Sequence, residues 1–150
     1  MDNVLIQISG KKRVILFPPS DIDYLYMKGD KSQVLDVDKP DLDSYPLFLK
    51  ATRFECELEA GDCLFIPALW LHNVITLSFS IGVNVFWKHL DDAFYEKHDV
   101  YGNKDLVNGS KALLFADKSI KEINALPNRT YKEFYTKRVI QALLENLNSQ

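Results

Sequence analysis

The stretch Gly61-Asp62-Cys63-Leu64-Phe65-Ile66-Pro67-Ala68-Leu69-Trp70-Leu71-His72-Asn73-Val74 constrains the fold more than any other part of this 150-residue chain. Glycine at 61 suits a turn that needs a permissive backbone. Cys63 to Ile66 is a short apolar run of strand type. Pro67 has no N–H to give to a ladder, so it marks a strand end or an edge. A second strand follows, in which alternation puts Trp70, His72 and Val74 on one face and Leu71, Asn73 and Ile75 on the other. A barrel that holds a metal in its mouth needs this arrangement, a rigid strand aiming one imidazole inward. A hydrogen-bonded core histidine fits the same residues. Imidazole is a common metal ligand, but one ligand does not make a site, so both readings of His72 stand at this level.

The same reasoning extends along the chain. Lys12, Val14 and Leu16 share one face of a strand, and Arg13, Ile15 and Phe17 share the other. Thr52 to Leu58 reads as a strand leading into the Gly61 turn, and Ile81 to Trp87 as a further strand. After Pro18-Pro19, Ser20 to Tyr26 predicts a short helix capped by Ser20. Residues 28–50 are polar and turn-rich, and predict a long loop over the barrel. Beyond Trp87 the period changes. Leu113, Ala116, Ile120 and Ile123, then Tyr131, Phe134, Tyr135, Val139, Ala142 and Leu143, recur at helical spacing on either side of Pro127. Asn128 or Thr130 can cap the second helix. Two such helices on a short connection predict an antiparallel pair, which either covers the barrel or forms a dimer interface.

A hydrophobic fraction of 47% and an aromatic fraction of 12% fit a globular protein. The net charge of −3 excludes a global attraction to nucleic acid. Any RNA contact must use local patches, Lys11-Lys12-Arg13 or the group Arg129, Lys132, Lys137 and Arg138; read by themselves, both are solvated surface. Cys56 and Cys63 flank the turn without a Cys-x-x-Cys pattern, and predict two buried strand thiols rather than a disulfide or a zinc site. No signal peptide and no long apolar stretch is present, so the expected location is intracellular, cytoplasmic or nuclear, without a membrane.

Two landmarks, in this order, carry a family resemblance. Met1-Asp2-Asn3-Val4-Leu5-Ile6-Gln7-Ile8-Ser9-Gly10-Lys11-Lys12-Arg13-Val14-Ile15-Leu16-Phe17-Pro18-Pro19 is similar to the strand pair that follows the His-x-Asp metal motif of JmjC domains. Gly61-Asp62 through His72, followed by Ile81-Gly82-Val83-Asn84-Val85-Phe86-Trp87, resembles the distal half of the same domain. JmjC proteins are jelly-roll iron(II) and 2-oxoglutarate oxygenases of the cupin superfamily. Within them, Tyr24-Leu25-Tyr26 with Lys28-Gly29, Pro40-Asp41-Leu42, Tyr45-Pro46-Leu47-Phe48, Asn84-Val85-Phe86-Trp87-Lys88-His89-Leu90 and Tyr101-Gly102-Asn103-Lys104-Asp105 resemble the wybutosine-synthesising tRNA hydroxylases. This likeness runs past the barrel to the end of the chain. The resemblance implies a mainly β fold with a C-terminal α part. Residues 1–90 would be the distal half of a JmjC jelly roll, a partial double-stranded β-helix. Residues 91–150 would be an antiparallel helix pair serving as a dimerisation element.

The resemblance also implies a site. Iron in this family is held by two histidines and one carboxylate. His72 matches the second histidine, and the His-x-Asp pair lies, in the family, just before the residue matching Met1. His89-Leu90-Asp91 repeats that pattern after the last barrel strand, the wrong place in the topology, and reads as loop. Asp2 matches an acidic residue that the family has in addition to its metal ligand, so it is not assigned to metal. Asn3 and Lys12 match positions that contact 2-oxoglutarate. For Lys12 the physical need is plain, because a carboxylate entering an apolar barrel requires a fixed cation. Asn84 either faces the pocket or is satisfied by backbone. The implied reaction is carbon hydroxylation on the side chain of the hypermodified guanosine beside the anticodon of phenylalanine tRNA, by a homodimer. One ligand holds iron weakly, so the chain reads as a piece of one about twice as long, inactive by itself. The alternatives are a JmjC hydroxylase acting on another macromolecule, and a non-catalytic chain that dimerises with intact partners.

Overall fold

The computed structural model describes residues 1–102 and 104–149; Asn103, part of the Tyr101–Asp105 match, lies outside them. The chain divides into two units, Met1–Asp105 and a second from Leu106 onward.

The first unit is built from β1 (Asp2–Ser9), β2 (Lys12–Phe17), β3 (Met27–Lys28), β4 (Lys31–Ser32), β5 (Phe54–Leu58), β6 (Cys63–Ile66), β7 (Leu71–Thr76) and β8 (Ile81–Trp87). Two three-stranded antiparallel sheets carry the fold, in the orders β6-β1-β8 and β5-β2-β7, while β3 and β4 make a small ribbon. From β5 onward each strand crosses to the opposite sheet, the winding of a jelly roll. The strands expected at Cys63–Ile66 and Ile81–Trp87 are present with those bounds, and the one expected from Thr52 begins at Phe54. Gly61, at φ 99°, turns the chain between β5 and β6 in a conformation that a side chain disfavours.

The inner faces of the two sheets meet in one apolar cluster of Leu5, Val14, Leu16, Leu58 and Ile66, with Cys56, Leu64 and Trp70 packed against it. β2 is covered on its other face too. There Ile15 and Phe17 pack with Leu25, Val34 and Phe48 from the excursion between β2 and β5, so the loop predicted to lie over the barrel does so. Val14, Ile15, Leu16 and Phe17 are therefore buried in succession, as a strand covered on both faces must be. Charged groups pin the excursion down. The Arg53 guanidinium donates to Asp38 at 2.7 Å, to Glu55 at 2.6 Å and to the Val37 carbonyl at 3.0 Å, and Arg13 also pairs with Asp38. The hydrogen bonds from Arg53 and then Arg13 hold the Asp38 carboxyl below its ordinary range.

β1 inverts the usual alternation. Val4, Ile6 and Ile8 form its apolar face, yet Asn3, Leu5 and Gln7 are the buried residues. Gln7 is 0% and Asn3 6% exposed, while Ile8 is 53% exposed. The outer face of that sheet stays open, with the Phe65 and Trp87 rings stacked at 5.7 Å.

Two local expectations are corrected. The helical turn after Pro18 spans Pro19–Tyr24 and is preceded by Pro18, not capped by Ser20, whose hydroxyl turns to Asp21 at 3.3 Å. Proline at the first helical position starts the turn one residue early, because its fixed φ already suits a helix. Cys63 is exposed rather than buried, since its pairing with Ile6 places it on the outer face. Cys56 is half-buried on the inner side, and burial pushes its thiol up.

The second unit holds α1 (Val107–Asn124) and α2 (Arg129–Asn148). Asn128 caps α2, its side-chain oxygen accepting the Tyr131 N–H at 3.2 Å. Phe115, Ile123, Leu126, Tyr135 and Val139 line a cleft of about 410 Å³. They come from mirrored positions about the connection, as an antiparallel pair requires. Neither helix has a buried residue, so the apolar positions picked out by the spacing remain accessible. No described helix is long and apolar enough to cross a membrane.

Candidate functional site

Strand register decides which side chains share a space. His72 sits opposite Leu16, and Lys12 sits opposite both Leu58 and Thr76. Residues paired across antiparallel strands project to the same side, and Leu16 and Leu58 belong to the inner cluster. His72 and Lys12 therefore face the same inner space, four residues apart along the ladder, or about 13 Å. The opposite layer supplies Asn3, paired with Ile66 and Phe86, and Gln7, paired with Gly82.

These residues mark two ends. Asn3 lies beside Ile66, the last residue before the turn that leads to His72. At the other end, a Cβ built on Gly82 would lie 3.1 Å from Lys12 Nζ and 3.3 Å from Gln7 Oε1. Gly82 thus leaves the room in which the ammonium sits. Asn3 Oδ1 and Gln7 Oε1 are buried without a hydrogen-bond partner among the described residues, although Gln7 Nε2 donates to the Ser9 carbonyl at 2.7 Å. Buried polar atoms are nearly always satisfied. At the Gly82 end an orphaned oxygen and a cation lie close to one another, a pairing that fits a polar ligand, while the Asn3 oxygen stands at the other end, nearer His72.

His72 is prepared in a different way. Its Nδ1 lies 3.1 Å from the Trp70 carbonyl oxygen. A carbonyl only accepts, so a hydrogen bond here puts the proton on Nδ1, and in the neutral ring that leaves the lone pair on Nε2. Metal-binding histidines are oriented by the same kind of bond. His72 is a single donor, however: among the described residues no three His, Cys, Asp or Glu side chains gather where one ion could touch them. His89 turns to Asp2, with Nδ1 2.9 Å from Oδ2, and so makes no pair with Asp91.

The basic tripeptide splits three ways. Lys11 pairs with Glu59, Arg13 pairs with Asp38 and Glu55, and Lys12 goes inward. On α2, Arg129 pairs with Glu133 at 2.5 Å.

Sequence reasoning missed Gln7 and Gly82. A signal for Gln7 existed, because alternation carries it onto the face of Asn3. None existed for Gly82, since only cross-strand register shows what its absent side chain would strike. Asn84, opposite Leu5, shares the inner face but is exposed.

Comparison with known proteins bears on the fold and the family. The Cupin-like domain family matches residues 1–93. The chain is 57% identical over 140 residues to tRNA wybutosine-synthesizing protein 5 of Homo sapiens, covering 93% of this chain and 44% of that protein. Against the Mus musculus protein of the same name, identity is 52% over 150 residues, covering 100% and 47%. Against tRNA wybutosine-synthesizing protein 4 of Aspergillus fumigatus it is 38% over 149 residues, covering 97% and 14%. The chain spans less than half the length of each of these relatives. With a jelly-roll-type fold and a match over more than half of its residues, this chain belongs to the Cupin-like domain family.

Proposed function

We propose that this chain is the distal part of an iron(II)- and 2-oxoglutarate-dependent hydroxylase that modifies the wybutosine-type guanosine of phenylalanine tRNA. The observation that carries the reading is that the His72 imidazole and the Lys12 ammonium, which has no partner among the described residues, stand on the same face of the β5-β2-β7 sheet, the face turned toward the other sheet. A 2-oxo acid with a distal carboxylate has the matching polarity. The Lys12 ammonium would hold the distal carboxylate, with Gln7 Oε1, which has no donor among the described residues, close beside it. The Asn3 amide can present its NH2 to the co-substrate by turning over, since amide oxygen and nitrogen are interchangeable in shape. His72 would supply one iron ligand through Nε2, and a His-x-Asp pair the other two. Iron and 2-oxoglutarate, when bound, supply the oxidising power for inserting oxygen into a C–H bond. The names of the relatives support tRNA as the substrate and an intracellular setting.

The test is nucleoside analysis of phenylalanine tRNA from cells lacking the gene. The hydroxylated wybutosine-type nucleoside disappears and its unhydroxylated form accumulates; re-expression with His72→Ala does not restore it. An unchanged profile overturns the tRNA reading and favours a hydroxylase of another macromolecule. Purified as 150 residues, with iron, 2-oxoglutarate and ascorbate, the chain releases no succinate. Release would overturn the need for the His-x-Asp pair.

The helical unit is the proposed homodimer element. Leu143, Leu144 and Leu147 are 64%, 51% and 67% exposed on α2, and apolar surface of that extent is stabilised by burial against a second copy. Light scattering should give a dimeric mass, reduced to the monomer by Leu143→Glu with Leu147→Glu. A monomeric mass for the unsubstituted chain would remove the dimer.

A further inference from the structure

We propose that Asp2 is a positioning residue, which fixes the ring of His72 through the turn between β6 and β7. The inference rests on reading His72 as a metal ligand only for its use; the geometry stands apart from it. The Asp2 side chain is 14% exposed, although nothing assigns it to metal or co-substrate. Its Oδ1 accepts the Ala68 N–H at 2.9 Å, and its Oδ2 lies 2.9 Å from His89 Nδ1. His89 follows β8, whose Trp87 is the partner of Asp2 in the sheet. One carboxylate therefore ties the start of β1 and the end of β8 to the turn that precedes His72.

That turn needs holding. The Trp70 N–H closes it on the Pro67 carbonyl at 3.3 Å, and Leu69 within it has φ 68°. A branched side chain in the left-handed region costs on the order of 1 kcal/mol or more and persists only when its surroundings impose it. The Leu69 side chain is 75% exposed, so no packing imposes it. Pro67 has no N–H, which leaves the Ala68 N–H as the donor through which the sheet grips the turn. What the turn sets is the direction of the Trp70 carbonyl, and that carbonyl receives His72 Nδ1–H at 3.1 Å. The chain of contacts runs from the Asp2 carboxylate to the turn, to the Trp70 carbonyl, and to the free Nε2 of His72. A neutral histidine side chain in water favours the proton on Nε2, so loss of the carbonyl is visible at the ring itself.

The experiment is ring-nitrogen NMR of His72 in the full 150-residue chain, at about pH 8 where an ordinary imidazole is neutral. The unsubstituted chain shows the Nδ1–H form as dominant. Asp2→Ala turns it into the minor form. Asp2→Asn retains it, because the amide oxygen still accepts from Ala68. Asp2→Ala combined with Leu69→Gly restores it, because glycine holds the turn without a clamp, and this pair keeps the test readable if Asp2→Ala alone folds poorly. A purely structural Asp2 would lower the melting temperature and leave the ring proton in place, and that result overturns the proposal. Paramagnetic broadening by added Co(II) reports on the ligand reading separately. Its absence at His72, in a chain whose ring proton obeys Asp2, counts against the metal and leaves the positioning role standing. Broadening with a ring proton indifferent to Asp2 does the reverse.

Discussion

Lys12→Met should raise the stability of the unliganded chain and at the same time lower affinity for 2-oxoglutarate about 100-fold. Both effects have one cause. Among the described residues Lys12 Nζ has no hydrogen-bond or ion-pair partner, and it projects into the space beside Gly82, Gln7 and Leu5. The half-buried Lys12 side chain has no anion to offset whatever solvation its ammonium loses, and an unbranched apolar side chain of similar length recovers up to about 1 kcal/mol. The same ammonium is the cation that a desolvated carboxylate would need, and a charge-assisted contact of that kind contributes about 2–3 kcal/mol to binding. Chemical denaturation of the 150-residue chain measures the first quantity. Calorimetric titration of a form that also supplies the His-x-Asp pair measures the second. A loss of stability without a change in affinity would return Lys12 to the surface. Gly82→Ala tests the same pocket by filling it, and should weaken binding while leaving the charge intact.

Gly10→Ala should destabilise the chain by about 3 kcal/mol or more, a large share of the 5–15 kcal/mol typical of a domain. Gly10 has φ 71°, and a Cβ placed on it would lie 2.2 Å from the Phe79 carbonyl oxygen, 2.6 Å from Ser80 Cβ and 2.8 Å from Ser80 Cα. The turn joining β1 to β2 presses against the turn joining β7 to β8, so the clash is with backbone that cannot yield cheaply. The backbone bonds there say the same, because Leu77 N–H donates to the Lys11 carbonyl at 3.0 Å. Gly61→Ala is the control. It carries the torsional cost at φ 99° but meets nothing within 4 Å, so its loss should be about 1 kcal/mol. Urea midpoints with unchanged slopes would measure both. Equal losses at the two positions would mean that torsion, not the contact with residues 79 and 80, sets the cost.

Much of the fold was legible because it rests on local pattern. The Gly61 turn, the strands at Cys63–Ile66 and Ile81–Trp87, the Asn128 cap and the helical period on either side of Pro127 need only neighbours in sequence. The alternation that grouped Lys12 with Val14 and Leu16 also survives, because a strand turns over every second residue. β1 shows where such reading stops. A period-two pattern of Val4, Ile6 and Ile8 would point those residues at the core, yet Asn3 and Gln7 lie inside with Leu5. Pattern identifies two faces, but which face a second sheet covers depends on how β2, β5 and β7 are laid against it, which the alternation within β1 does not state.

Sequence by itself determined the residue types of the candidate site, an imidazole, an ammonium and an amide, together with the strand faces that His72 and Lys12 share with their neighbours. Only the tertiary structure decided that these sides face one another. The reason is that pairing β2 with β7, and β1 with β6 and β8, fixes register by hydrogen bonds between distant segments. Those ladders place Gly82 against Lys12, leave Gln7 Oε1 unpaired and bring the Asp2 carboxylate to the turn before His72. Each is a contact between residues that no local periodicity relates.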